Sequence, residues 1–167
     1  MFRGELLKII FILLAISLLM ALNGFSAKQL VVLTLLTKTK DGTDDFVSVQ
    51  KEIRGSGRIQ LYENALRALK ENRIPENEVY TTAFSKAYKV NYVIRDVNMV
   101  IVDFSSSRLA GSLKQEQLLI GQVVRTLTQS FAEVESVLFT VDGERAETLM
   151  GHVDIQQPFT SANIDMH

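Results

Sequence analysis

Apolar residues recur at every fourth position through Leu119, Val123, Leu127 and Phe131, with Ile120 and Val124 on the neighbouring row. That spacing predicts an amphipathic helix. Ser112 is placed to cap it, with Gln115 three positions on completing a capping box. Glu116 early and Arg125 late suit the helix dipole. A second helical pattern covers Arg58 to Glu71 (RIQLYENALRALKE). Ile59, Tyr62, Leu66 and Leu69 fall on one face, and Arg58, Glu63, Arg67 and Lys70 face solvent. Ser56 is available to cap its start, and Asn72 followed by Pro75 marks its end.

Between and around the helices the period changes to strand-like runs. Lys28 to Lys38 is continuously apolar through Leu30 to Leu33, which predicts a strand buried on both faces. A polar turn over residues 40–45 leads to Phe46 to Ile53, read as its antiparallel hairpin partner. After the first helix comes a polar, irregular loop of roughly ten residues, 73–82, longer than the usual connection. Tyr88 to Arg95 alternates, placing Tyr88, Val90, Tyr92 and Ile94 on one face. Asp96-Val97-Asn98 turns it into Met99 to Phe104. Ser136 to Val141 is a further β-branched and aromatic run, stopped by Asp142-Gly143. An arm then returns through Thr148-Leu149-Met150, Gly151-His152-Val153-Asp154 and Pro158.

The resulting order is ββαββαβ. Two helices with one apolar stripe each must cover a sheet, so the expected fold is α+β, a two-layer sandwich of two helices on one mixed β-sheet. The expected core is Val31, Leu33, Leu66, Leu69, Val90, Tyr92, Val100, Val102, Leu119, Val123, Leu127, Val137, Phe139 and Val141.

The N-terminus reads differently. Arg3 and Lys8 precede an apolar run, Ile9 to Leu22, broken only by Ser17, and residues 23–27 close it with small and turn-forming types. This matches a secretory signal peptide. The uninterrupted run falls short of the ~20 apolar residues of a membrane span, although Leu6-Leu7 and Phe25 could extend it. Residues 1–27 are therefore a cleaved signal peptide or a retained anchor, and 28–167 the domain. Either way the domain is expected outside the cytoplasmic membrane, with the N-terminus inside.

At 167 residues there is room for one domain. A net charge of −1 with both signs interspersed lacks the basic footprint of a nucleic-acid binder. The chain has no cysteine, which excludes disulfides, thiolate metal sites, a cysteine nucleophile and a lipidated cysteine tether.

Candidate chemistry is sparse. His152 stands two residues before Asp154, a pairing that suggests a general base and its orienting carboxylate. No nucleophile or second histidine stands at a fixed spacing, and the only other histidine is the terminal His167. The plainer reading has His152 bonding backbone at the sheet edge, with Gly151 permitting a sharp bend. Asp41, Asp44 and Asp45 around Gly42 lack the order and closing glutamate of a calcium loop and read as a solvated hairpin tip. Ser105 to Ser107 lacks a partnered base. Gly55-Ser56-Gly57 before Arg58 reads as a linker rather than an anion cradle. No cofactor or metal is expected.

The helix ending Val-Val-Arg-Thr-Leu-Thr-Gln, then Val-x-x-Val-x-Phe-x-Val-Asp-Gly, then Gly-His-Val-Asp-x-x-x-Pro-Phe resembles the GerMN domain, the sporulation and spore-germination domain of bacterial envelope proteins. The match is densest over Leu118 to Thr160 and extends more loosely to about Leu30. The helix-strand-strand-helix-strand segment is similar to the ring-building motif of envelope secretion rings. The resemblance implies a non-enzymatic, extracytoplasmic interaction or assembly domain. It makes Asp142, Gly143, Gly151, His152, Asp154 and Pro158 structural motif residues. Its expected partners are envelope proteins and further copies of itself, with the membrane reached through the N-terminal segment if uncleaved. Some family members carry two such domains, whereas one is present here. The polar face of the later helix offers Arg108, Lys114, Gln117, Gln122 and Arg125 as contact residues. An exported protein binding a small ligand or cell-wall glycan is the alternative, and a hydrolase using His152 and Asp154 the third.

Overall fold

Strand β1 (Ala27–Lys38) runs antiparallel to β2 (Asp44–Gly55) along its whole length, making a long two-stranded ribbon. The computed structural model describes residues 26–72 and 80–164. The chain continues through α1 (Arg58–Glu71), β3 (Val90–Asp96), β4 (Met99–Phe104), α2 (Leu113–Ser130), β5 (Ser136–Val141) and β6 (Phe159–Thr160). The signal or anchor segment lies outside the described residues except for Ser26 and Ala27, as do Pro75 and His167. Among the described residues no helix is long and apolar enough to cross a membrane.

Among the described residues the fold is α+β with two helices, but the expected single sheet is two. The ribbon stands apart from a four-stranded sheet in the order β3-β4-β5-β6. In that sheet β4 and β5 are parallel, joined through α2, and the other pairs are antiparallel. The division follows from how the outer edge of β1 is used. Leu36 and Thr81 exchange backbone hydrogen bonds at 2.9 and 2.8 Å. Further along, side chains of α2 take the place of a neighbouring strand. Gln122 Nε2 donates to the Thr34 carbonyl (2.9 Å), the Thr34 amide donates to Thr126 Oγ1 (3.0 Å), and Ser130 Oγ bonds both the amide and the carbonyl of Val32. Residues 122, 126 and 130 are one row of a helix, four apart. That row satisfies backbone groups that burial would otherwise orphan, and no sheet strand fits there.

Helix α2 is consequently buried on every side through its middle turns, where the sequence pattern gave it a solvent face. Leu119 to Val124 are all buried, and so are Thr126 and Leu127. Gly121 is what lets the ribbon approach: a Cβ there would stand 2.6 Å from Phe46 Cζ of β2. Fully buried Phe84, Phe104, Phe131, Phe139 and Tyr62 fill the interior, and Tyr62 meets Phe131 edge-on at 4.7 Å between ring centres.

Three expected core residues lie further out. A bulge between Val90 and Tyr92 shifts the phase of β3 by one residue. Val93 is therefore buried, whereas Tyr92 and Ile94 are 37% and 46% exposed and Val90 is half-buried. Val141, at the end of β5, is half-buried too. The buried run of β1 is Leu33 to Leu36, while Leu30 is exposed. Of the expected caps, Ser112 Oγ accepts from the Gln115 amide, but Gln115 Nε2 reaches Tyr88 Oη and leaves the box half made. Gly57, not Ser56, is the cap residue of α1, and Ser56 bonds Gln60 instead. Asn72 ends α1 in the left-handed conformation at φ 46°.

Candidate functional site

The C-terminal arm and the turn before it are held by two carboxylates that lie inside the protein. Glu116, in the first turn of α2, is fully buried. Its Oε1 accepts the amides of Leu149 (2.9 Å) and Met150 (2.8 Å), and its Oε2 accepts the amide of His152 (3.0 Å). A helix N-terminus favours negative charge, and three amide donors replace the water such a charge loses. Asp103, at the inner end of β4, is fully buried as well. It accepts Thr140 Oγ1 at 2.6 Å, the Gly143 amide at 2.8 Å and Asn91 Nδ2 at 2.9 Å. Thus one carboxylate fixes the arm and the other fixes the Asp142-Gly143 turn. That turn has φ of 50° and 83° at its two central residues, which is why aspartate and glycine stand there.

The motif residues are accounted for locally. The Asp142 carboxylate accepts the Ser106 amide at 3.3 Å, and its hydrogen bonds to Ser106 draw its pKa below the ordinary aspartate value. Gly151 sits at φ 99°, a bend open to few other residues. His152 Nε2 lies 3.1 Å from the Gly111 carbonyl, whereas Asp154 Oδ1 accepts the Gln156 amide at 2.9 Å. The two side chains therefore engage different groups, and the geometry of a base with its orienting carboxylate is not formed. The Pro158 carbonyl accepts Asn163 Nδ2 (3.4 Å) just before β6. Ile155, absent from the expected core, is fully buried, its amide on the Glu147 carbonyl. Among the described residues no three His, Asp or Glu side chains gather to hold a metal ion.

The five expected contact residues do not form one surface. Arg108 is exposed, at φ 64° before the helix. Lys114 is exposed and paired with Asp44 at 2.7 Å. Gln117 is half-buried. Arg125 is half-buried with its guanidinium 4.9 Å from the centre of the Phe46 ring. Gln122 is fully buried: besides the Thr34 carbonyl, its Oε1 accepts the Ala83 amide at 2.7 Å. The helical wheel placed Gln122 and Arg125 outward because it contains no information about the ribbon that packs against them.

Asp44 links the ribbon to the start of α2 through Lys114 and to β1 through Lys38 (2.6 Å). Hydrogen bonds from Lys114, then Lys38, hold its pKa below the ordinary aspartate value. A depressed carboxylate stabilises the fold above its unfolded pKa and loses that contribution as pH falls through its folded pKa. Titration of the Asp44 carboxyl carbon by NMR should show a midpoint below 3.8, moving toward that value in Lys114→Ala. An unchanged midpoint in the variant would refute the assignment to Lys114.

A cleft of about 280 Å³ opens on another side of the molecule, between α1 and the start of β3. Leu66, Phe84 and Val90 contribute its apolar lining, and Arg67, Lys70 and Lys89 contribute cations around Glu63. The alternation of β3 pointed its residues the other way, so nothing in the sequence pattern marked this cleft.

The family model described as Germane, sporulation and spore germination, matches residues 32–147. Among solved structures, the first GerMN domain of the sporulation protein GerM from Bacillus subtilis is similar at 21% identity and a TM-score of 0.59, over 80% of this chain and 99% of that one. The tandem GerMN domains of the same protein give 19% identity and a TM-score of 0.57, over 80% of this chain and 45% of the pair. A candidate lipoprotein from Clostridium perfringens gives 20% identity and a TM-score of 0.56, over 81% of this chain and 90% of that one. At these identities the structures show a shared fold. Among curated proteins none matches.

Proposed function

We propose that this chain, which belongs to the Germane family of sporulation and spore germination, is a non-enzymatic protein-interaction and assembly domain acting outside the cytoplasmic membrane. One observation carries the reading: the polar side chains that could have done chemistry are spent on the protein's own backbone and turns. Glu116, Asp103 and Gln122 are fully buried and bonded to backbone or neighbouring side chains, and His152 and Asp154 are engaged separately. Catalysis needs reactive groups converging on a cleft, and these groups converge on the protein's own turns. What faces solvent instead is the edge strand β3, with exposed Tyr92 and Ile94, and Val97 79% exposed in the turn beyond it. Exposed apolar residues on a free edge are a means of joining another chain.

An extracytoplasmic setting is supported by Arg3 and Lys8 before the apolar run of residues 9–22, and by likeness to a candidate lipoprotein. No cysteine is present to carry a lipid, and this reading assigns tethering to the apolar segment.

The test is photo-crosslinking in the producing bacterium, with a reactive group introduced at Ile94 or at Val97 of the full chain. Discrete adducts with envelope proteins, or with a second copy, are expected from these positions. Absence of adducts, together with a melting temperature raised by muropeptides, would replace this reading with the ligand-binding one.

A further inference from the structure

We infer that the cleft between α1 and β3 receives an extended, acidic segment of a partner protein, added to the sheet as a strand beside β3. This names the partner chemistry for the interaction role proposed above and rests on it. Three observations support the inference together.

The first is the edge. β3 is terminal in its sheet and pairs with β4 alone, so its outer row of amides and carbonyls has no strand partner among the described residues. Strand addition requires such a row and draws its affinity from it. Native edges are usually blunted by proline or by charges along the strand. From Val90 to Ile94 β3 carries neither; its charges, Arg95 and Asp96, come at the far end.

The second is the charge at the cleft. Arg67 and Lys89 are exposed at its mouth, and Lys70 lies deeper, its ammonium bonded to the Tyr88 carbonyl and 5.8 Å from the centre of the Phe84 ring. Lys86 adds a further cation where the cleft continues beside Glu71. Glu63 is the carboxylate of the main cleft, set against three cations. A chain lying along β3 places alternate side chains toward α1, and acidic ones complement this lining.

The third is the opposite face. By register Ile94 stands beside Ile101, and Ile101 beside Leu138, forming an aliphatic row across three strands. Ile94 is exposed at the end of that row. The other alternate side chains of an added strand extend the row if they are valine or isoleucine. The fitting segment therefore alternates acidic and β-branched residues.

A second copy of this chain fits less well. Pairing Tyr92 with Ile94 of another molecule brings that molecule's Arg95 next to Asn91, at the mouth of a cleft already lined by Arg67 and Lys89. Like charges there oppose the contact.

The experiment titrates the full chain with capped ten-residue peptides, read by fluorescence anisotropy and by amide chemical shifts. The probes are an alternating glutamate-valine peptide, its lysine-valine counterpart, and two glutamate-valine peptides N-methylated along one edge or the other. The glutamate-valine peptide should bind at least about tenfold tighter than the lysine-valine one, with the preference falling in high salt. Shifts should centre on Lys89 to Ile94. Methylation along one edge should abolish binding while methylation along the other leaves it intact. The double variant Arg67→Glu, Lys89→Glu should reverse the charge preference. Equal binding of both charge types, shifts elsewhere, no binding, or an edge occupied by a second copy would overturn the inference. If the peptides fail while crosslinks from Ile94 or Val97 still capture envelope proteins, the interaction role stands and only this partner chemistry is lost.

Discussion

Replacing Glu116 by alanine should lower the unfolding free energy by about 3–5 kcal/mol, because three amides held by one buried carboxylate lose their acceptor together, at roughly 1–3 kcal/mol for each buried group left unsatisfied. The amides of Leu149 and Met150 meet one oxygen and that of His152 the other. The cost is not the full sum, since His152 and Gly151 are exposed and water can reach the end of the arm. Glu116→Gln provides the internal comparison. Its carbonyl oxygen can keep the Leu149 and Met150 amides, while its NH2 faces the His152 amide as donor against donor. The order of stability should be wild type, then Gln, then Ala, in urea denaturation. Hydrogen exchange at residues 149, 150 and 152 should accelerate well before the global transition is affected. An alanine variant within about 1 kcal/mol of wild type would mean the arm is held by its apolar contacts alone.

Gln122→Leu should cost about 2–4 kcal/mol despite its similar volume, since two buried backbone groups, the Ala83 amide and the Thr34 carbonyl, lose their partner. Leucine is the informative choice because it leaves no cavity, so the loss reports on hydrogen bonding and not on packing. Thr126→Val tests the next rung, where the Thr34 amide donates to Oγ1. The two substitutions share Thr34, and their effects should be non-additive in a double-mutant cycle. A neutral Gln122→Leu would show that water satisfies the freed groups and that the helix row is dispensable.

These two residues mark where sequence reasoning stopped. Elements whose signal is local were legible: Met99–Phe104, Ser136–Val141 and Arg58–Glu71 follow from periodicity and from the turns that bound them. The glycine and aspartate of the last turn were legible because positive φ has few solutions. Gln122 was not, because a glutamine on a helix reads as solvent-facing until something covers it, and the ribbon that does so lies 88 positions away. The bulge in β3 was equally hidden, since an alternating sequence fits either phase until its partner strand sets the register. That one-residue shift turned Tyr92 and Ile94 outward and changed the molecule's exposed edge. In Glu116, a residue with an evident role in helix polarity has a second partner, the arm, that no local pattern records.

The helix row lying along β1 has a consequence for biogenesis. A chain made from its N-terminus presents the hairpin early, with the outer side of β1 uncovered. The bond from the Thr34 amide to Thr126 spans 92 positions, so the stretch of that side around Thr34 stays open until the helix row has been made. Contacts of such separation form slowly, and the interval is when the nascent hairpin is most prone to pair with the wrong neighbour. Polar substitutions that leave the finished fold intact but delay closure of Gln122, Thr126 and Ser130 over β1 should therefore reduce the yield of folded protein more than its stability.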